Sequence, residues 1–466
     1  MGSFEVTLKF LKAYKTPILF ALLGVIFYWV FAYNLLRSDF IKLISLYVAL
    51  FFLAYQLIKI YGWNFWLLAG FGLVFRFVFL PALPTLSQDF YRFIWDGRLM
   101  IQGVNPYLFT PEFYMESTGS LSGVEVHQAR ELYTGMGQLN GSHFSNYPPV
   151  NQLFFATAAL FAEKSILGST ILLRLVIILA DVGILYFGKK LLEGLKLPVK
   201  NIFWYFLNPF IIIELTGNLH FEGVMLFFVV WALYLLYKGK WFWAAVFVGI
   251  SVSVKLLPLL FLPLFFRYFV KKDALGKGFL KLSKFYLVVL TTTVLSFAPF
   301  LSSEFIANFS NTISLWFQEF EFNASVYYII RYIGFQTIGW NIIADVGKIL
   351  PLIVIFMILL LSFFRRNNSS QQLITTLLLG VSFYFLLSTT VHPWYIATPL
   401  LLSVFTRYKF PIVWSLVVML SYSAYGVDGF SENLWLVSGE YLVVLAFAFW
   451  ELFFRKNRAQ PPLFQS

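Results

Sequence analysis

Residues 87–107 read Ser-Gln-Asp-Phe-Tyr-Arg-Phe-Ile-Trp-Asp-Gly-Arg-Leu-Met-Ile-Gln-Gly-Val-Asn-Pro-Tyr. Asp89 stands a few residues beyond an apolar segment of membrane length. Tyr91, Arg92, Trp95, Asp96 and Arg98 follow it before a turn at Asn105-Pro106. A carboxylate where a bilayer meets water is costly to desolvate, and among aromatics and arginines it marks a site more often than a structural convenience. The structural alternative is a helix cap, with the Asp89 oxygen accepting backbone N–H bonds near Phe90. Asp96 comes seven residues later, on the same face if both share a helix, and is read as the salt-bridge partner of a neighbouring arginine. Arg92 and Arg98 are alternatively phosphate ligands, because a planar guanidinium suits that task.

Four further places carry chemistry. His220 and Glu222 are two apart, a spacing that does not share a helical face and so argues against a helical metal pair. Asn218 is read as the cap of the helix that follows, and His220 as either a substrate contact or a solvated interfacial imidazole. Lys255 ends an apolar segment, where it either snorkels or pairs with a lipid phosphate. Arg331 is a second phosphate candidate. In His392-Pro393-Trp394-Tyr395, Pro393 suits a first helical turn and the two aromatics suit a membrane interface, but neither requirement explains a histidine at 392. Arg174 and Asp181, seven apart inside one apolar segment, are read as buried pairing partners with a structural role.

The elements that must position these residues are membrane helices. The chain of 466 residues is 60% hydrophobic and 12% charged, against about 25% charged in soluble proteins, so the expected fold is an all-α polytopic transmembrane bundle. With roughly 20 residues to a span, about 14 segments emerge: 17–36, 40–60, 63–80, 169–188, 199–216, 220–238, 241–255, 257–270, 284–301, 348–364, 372–390, 394–407, 410–425 and 436–454. They form one integral membrane domain over 1–466, with two longer connections at 81–168 and 302–347. The absence of cysteine excludes disulfides, thiol nucleophiles and thiolate metal sites. The 34 Lys and Arg against 22 Asp and Glu sit mostly in short loops between apolar segments, a topology signal rather than a nucleic-acid footprint.

That signal sets the expected orientation. The basic clusters are Lys189/Lys190/Lys196/Lys200, Lys238/Lys240, Lys271/Lys272/Lys277/Lys281/Lys284, Arg365/Arg366, Arg407/Lys409 and Arg455/Lys456/Arg458, with Lys9, Lys12 and Lys15 at the start. All fall on the cytoplasmic side if both termini are cytoplasmic and 148–163 lies along the interface without crossing. Asp89, His220, Glu222, Lys255, Arg331 and His392 then converge on the extracytoplasmic face, as an active site there requires.

Several motifs in order complete a pattern: the acidic loop with Trp95-Asp-Gly-Arg98 and Gly103-x-Asn-Pro-Tyr107, then Tyr147-Pro-Pro149, Asn208-Pro209, Glu214-x-x-Gly-Asn-x-His-x-Glu222, Lys255-x-x-Pro258 and His392-Pro-Trp-Tyr395. Over residues 70–405 the chain resembles the GT-C superfamily of membrane glycosyltransferases. It is most similar there to bacterial polyprenyl-phosphate-mannose-dependent mannosyltransferases and their GPI-mannosyltransferase-like relatives. It departs from their commoner layout in having a hairpin of two spans ahead of the segment that leads into the acidic loop. The resemblance implies a polyprenyl-phosphate sugar donor, a glycan or glycolipid acceptor and membrane lipids as partners, with no nucleic acid, in a bacterial cytoplasmic membrane. It implies Asp89 as general base, and substrate contacts from Arg92, Asp96, Arg98, Tyr147, His220, Glu222, Lys255, Arg331, His392 and Tyr395. No cofactor is expected. Gln88 rather than an acid precedes Asp89, and divalent ions with oxygen ligands want several carboxylates, so a metal is the lesser alternative. Two other functions compete: a lipid-linked glycan flippase or transporter, which predicts polar residues through the midplane and repeated halves, and a polymerase or ligase of the O-antigen type, which favours arginine-rich external loops.

The orientation has a direct test in a cysteine-free chain. Single cysteines at Ser142 and Lys190 should label from opposite sides of the membrane; labelling from one side contradicts the assignment.

Overall fold

A computed structural model describes residues 2–116, 123–271 and 274–455. Lys272, Lys456 and Arg458 of the basic clusters lie outside the described residues, as do the side chains of Lys9 and Lys12. The protein is an all-α polytopic helix bundle, and the one sheet among the described residues is a two-residue hairpin pairing Tyr425 with Phe430. Among the described residues seven helices are long and apolar enough to cross a membrane: Tyr14–Tyr33, Phe40–Tyr61, Ile166–Gly194, Leu275–Phe300, Ile343–Phe364, Ser370–Leu387 and Leu434–Phe454. A further pair, Pro209–Gly217 and Glu222–Tyr237, is bent by 116° across a short break. Leu179, Leu287, Leu352 and Leu442 stay exposed on the outside of these helices, as lipid-facing residues do. The chain is an integral membrane protein.

The fourteen expected segments fall on the seven long helices, the two halves of the bent pair and five shorter apolar helices: Phe65–Val78, Trp241–Val254, Leu257–Phe269, Pro393–Val404 and Phe410–Ala424. By length and composition seven of the described helices, or eight with the bent pair as one span, suffice to cross. The sixth short helix, Pro149–Ala162, covers the stretch read as interfacial. At 1.5 Å per residue its 14 residues reach roughly 21 Å, less than the ~30 Å of a hydrocarbon core. One face carries buried Asn151, Gln152 and Phe155, while Leu160 and Phe161 project outward.

Against that helix lies Asp89–Ile101, which buries Phe90, Phe93, Ile94, Trp95 and Leu99. The two approach closely at Gly97, where an added Cβ would fall 2.2 Å from the Phe155 carbonyl oxygen. Only glycine fits there. Phe93 stacks on Phe155 at 4.6 Å and meets Tyr147 and Phe221 edge-on. This aromatic cluster fixes the helix whose first residue is Asp89.

Two buried arginines hold the bundle beneath. Arg76 pairs with Asp181 at 2.8 Å and donates to the carbonyls of Gly72 and Phe206, while the Tyr205 hydroxyl donates to the other Asp181 oxygen. The pairing expected for Arg174 and Asp181 is corrected here. Seven residues along a helix separate two side chains by roughly 10 Å of rise, and Asp181 finds its cation on a different helix. Arg174 instead donates to the carbonyl oxygens of Leu80, Thr216 and Gly217 at 2.8–3.0 Å. Those of Thr216 and Gly217 belong to the C-terminal end of the first half of the bent pair, where carbonyls have no partner within their own helix and the dipole favours a cation.

Removing one member of the Arg76–Asp181 pair leaves the other buried and uncompensated. Asp181→Ala should therefore cost about 3–5 kcal/mol, whereas the double variant Arg76→Met/Asp181→Leu should recover most of that loss. Thermal unfolding in detergent measures both, and a double variant no better than the single one contradicts the account.

Candidate active site

The site forms around the break at 218–221. Asn208 caps the short helix at Pro209 by accepting from the Phe210 N–H, and its amide donates to Ser415. The helix then widens into a π turn over Ile212–Gly217, a geometry frequent at functional sites. Beyond Gly217 the chain turns sharply, with buried Leu219 held at φ +62°, a left-handed conformation that costs roughly 1–2 kcal/mol for a residue with a Cβ. Asn218 does not cap the next helix, as the sequence suggested; the cap position is Phe221. The Asn218 side chain instead accepts from the Leu86 N–H at 3.0 Å and donates to the Ile213 carbonyl at 3.0 Å. The break is thereby tied to the loop three residues before Asp89.

Asp89 opens its helix at the first position, so that Gln88 and not Asp89 holds the cap, and the Gln88 side chain makes no cap hydrogen bond. The capping alternative therefore fails. The side chain faces a cavity of about 830 Å³ lined by Asp89, Arg92, Tyr147, His220, Glu222, Lys255, His392 and Tyr395. Eight of the eleven expected site residues thus meet in one space, drawn from five regions of the chain. Burial pushes the Asp89 carboxyl up to about 6, with Glu222 adding to the rise and Lys255 and Arg37 opposing it. It remains largely ionised at neutral pH while being a stronger base than an exposed aspartate.

The surroundings of the other residues fix their parts. Glu222 and Lys255 form an ion pair, and the Lys255 ammonium lies 5.1 Å from the centre of the Tyr395 ring. The indole of Trp394 stacks nearly parallel with His220 at 3.6 Å and with His392 at 4.5 Å. His220 Nε2 also sits 3.8 Å from a Glu214 oxygen, and the other Glu214 oxygen accepts from the Tyr422 hydroxyl. A strap from the second long connection closes one side: Phe322 bridges to Thr390, and Phe320, Glu321 and Phe322 line the cavity. Leu256, Leu257, Tyr384 and Phe385 form an apolar sector of the wall.

Three expected residues lie elsewhere. Asp96 is fully buried behind the wall, accepting from Arg92 at 2.8 Å, from the Ser145 hydroxyl and from Gln152; it holds Arg92 and does not face the cavity. Arg98 points to the His127 carbonyl and the Gln128 side chain, away from the site. Arg331 pairs with Glu321 and stacks on Tyr328 at 4.3 Å, outside the cavity. Conversely, Arg37, in the turn between the first two helices, lines the cavity and was missed. The signal was present: an arginine stands in the tip of a hairpin on the face where the other loops are poor in basic residues. Among the described residues no group of three or more His, Cys, Asp or Glu is placed to hold a metal.

Residues 66–271 match the family model described as alpha-(1->6)-mannopyranosyltransferase, N-terminal domain, of the MptA_B family. The match takes in the acidic loop, the helix at 149–162, the bent pair and Lys255. It leaves out the first hairpin and the His392-Pro-Trp-Tyr395 segment. No curated protein matches the chain.

The electrostatics give a measurable consequence. Lys255→Met removes a cation that lowers the Asp89 pKa and leaves Glu222 buried without its partner, so Asp89 should titrate above 6. Infrared difference spectra of the carboxyl band, assigned by its loss in Asp89→Asn, follow the titration; an unchanged or lower midpoint contradicts the assigned geometry.

Proposed function

We propose that this protein is an inverting glycosyltransferase of the GT-C type. It moves a sugar, mannose first among them, from a polyprenyl-phosphate donor to a glycan or glycolipid acceptor. The reaction takes place at the extracytoplasmic face of a bacterial cytoplasmic membrane. The observation that carries the reading is Asp89: an uncapped carboxylate with a raised pKa, in a cavity that also holds the Lys255 ammonium and an apolar sector. The family match over 66–271 supports the mannosyl assignment, and the basic loops of the sequence support the face.

In this reaction the acceptor hydroxyl gives its proton to Asp89 as its oxygen attacks the anomeric carbon. The bond from that carbon to the phosphate oxygen breaks on the opposite side, and its electron pair leaves with the polyprenyl phosphate. Asp89 then releases the proton to water. A phosphate is already a good leaving group, so catalysis consists of deprotonating the nucleophile and stabilising the charge that grows on the phosphate. Lys255 supplies a cation for that charge, and Glu222 holds it in place. Tyr395 and Tyr147 offer aromatic surface to the sugar, while the His220 and His392 imidazoles, stacked on Trp394, are hydrogen-bonding groups for its hydroxyls. The sector of Leu256, Leu257, Tyr384 and Phe385 takes the first isoprene units, which would otherwise meet water.

Asp89→Asn preserves shape but cannot take the proton. Loss of a general base costs about a hundredfold to ten-thousandfold in rate, so the variant should insert and bind donor yet transfer almost nothing, while Asp96→Asn should act mainly through stability. Because the base must be ionised, transfer by the native protein should fall as pH drops through about 6. Near-normal turnover in Asp89→Asn, or a rate flat down to pH 4, would remove the base from this position.

A further inference from the structure

The cavity holds a cation that neither the family match nor the chemistry above has used. Arg37 sits in the turn between Tyr14–Tyr33 and Phe40–Tyr61, a hairpin that lies wholly outside the matched residues 66–271. The turn is built with care for its position. The Tyr33 hydroxyl donates to the Val78 carbonyl at 2.9 Å, the Lys42 ammonium closes the turn on the Asn34 carbonyl, and Asp39 caps the second helix. Below it Tyr28 packs on Phe75 and Phe79, and the buried Tyr47 hydroxyl donates to the Ser415 carbonyl. These contacts fasten the hairpin to the helix before the acidic loop on one side and to Phe410–Ala424 on the other.

The guanidinium so delivered lies 3.2 Å above the Tyr425 ring and 5.9 Å from that of Tyr422. Its Nε is buried without a hydrogen-bond partner, and it forms no ion pair among the described residues. The other two permanent cations lining the cavity are already matched, Arg92 by Asp96 and Lys255 by Glu222. A guanidinium stacked on a ring keeps its donor edge free, and that edge fits a phosphate with two parallel hydrogen bonds. A partly buried cation that acts on the Asp89 and Glu214 carboxyls only at a distance, with no ion-pair contact, is costly, and the cost is relieved when an anion arrives.

We propose that Arg37 is a second phosphate ligand of the cavity beside Lys255, holding the phosphate that joins sugar to polyprenol in the donor, so that the first hairpin is part of the active site. This rests on the donor reading given above. It assigns selectivity for a phosphorylated prenol over the neutral alcohol to a residue beyond the matched region, with Tyr425 as the platform that orients it.

Farnesyl phosphate and farnesol are the probes, titrated calorimetrically into the full-length protein in phosphatidylcholine nanodiscs. Arg37→Gln should weaken farnesyl phosphate binding at least about tenfold, the scale of a charge-assisted hydrogen bond, and leave farnesol unchanged. Arg37→Lys should fall between, and Arg331→Gln, outside the cavity, should match the native protein. Tyr425→Leu keeps the charge but removes its platform, so a smaller loss there gives a second route should Arg37→Gln fold poorly. Equal phosphate affinity in the native and Arg37→Gln proteins overturns the assignment while leaving the donor reading intact. A native protein that does not prefer the phosphate to the alcohol overturns both. If phosphatidylglycerol nanodiscs abolish the Arg37-dependent difference, the guanidinium serves an ordinary lipid headgroup and the donor assignment falls.

Discussion

A broken helix inside an apolar bundle must have its backbone groups satisfied by protein, since lipid offers no hydrogen bonds and each unpaired group costs several kcal/mol. The break at 218–221 meets that constraint with Arg174 and Asn218. Arg174 gathers the carbonyls of Leu80, Thr216 and Gly217, and Asn218 takes the Leu86 N–H. The same hydrogen bonds that make the break tolerable also bind it to the loop leading into Asp89. His220 and Glu222 therefore face Asp89 because of how the break is satisfied. The site depends on a structural arginine that touches no part of the cavity.

The rest of the architecture serves that junction. Gly97 lets the acidic-loop helix lie against Pro149–Ala162, and the Phe93, Phe155, Tyr147 and Phe221 cluster locks the pair. Asp96 fixes Arg92 from behind. The strap at 320–322, joined to Thr390, carries the second long connection against the histidine at 392. Charges that look catalytic in sequence divide accordingly into those that face the cavity and those that hold its walls.

Much of this was legible in the sequence, for physical reasons. Hydropathy marks apolar segments whether or not they are long enough to span, so the sequence shows fourteen segments although seven of the described helices are full-length. Asp89, His220, Glu222, Lys255 and His392 stood at segment ends, and charge bias in the loops put those ends on one face. What the sequence could not carry was direction. Arg92, Asp96 and Arg98 share one helix, yet only Arg92 lines the cavity, because small rotations of a helix decide which side chain faces it. Arg331 was drawn off by Glu321, ten residues away in sequence and across a turn. Asp181 was sought within its own helix and found its partner in Arg76. Arg37 belongs to no motif and stands in a hairpin whose composition bears on topology alone, although an arginine at a tip among loops poor in basic residues is itself a sign.

The central claim is a single displacement at the anomeric carbon, and the stereochemistry of one turnover tests it most directly. Purified protein is supplied with a β-linked polyprenyl-phosphate mannose and a mannoside acceptor, and the linkage of the product is read by nuclear magnetic resonance. The account predicts an α-linked product, formed without a covalent glycosyl-enzyme. A β-linked product, or movement of the intact lipid across the bilayer with no sugar transferred, would contradict it.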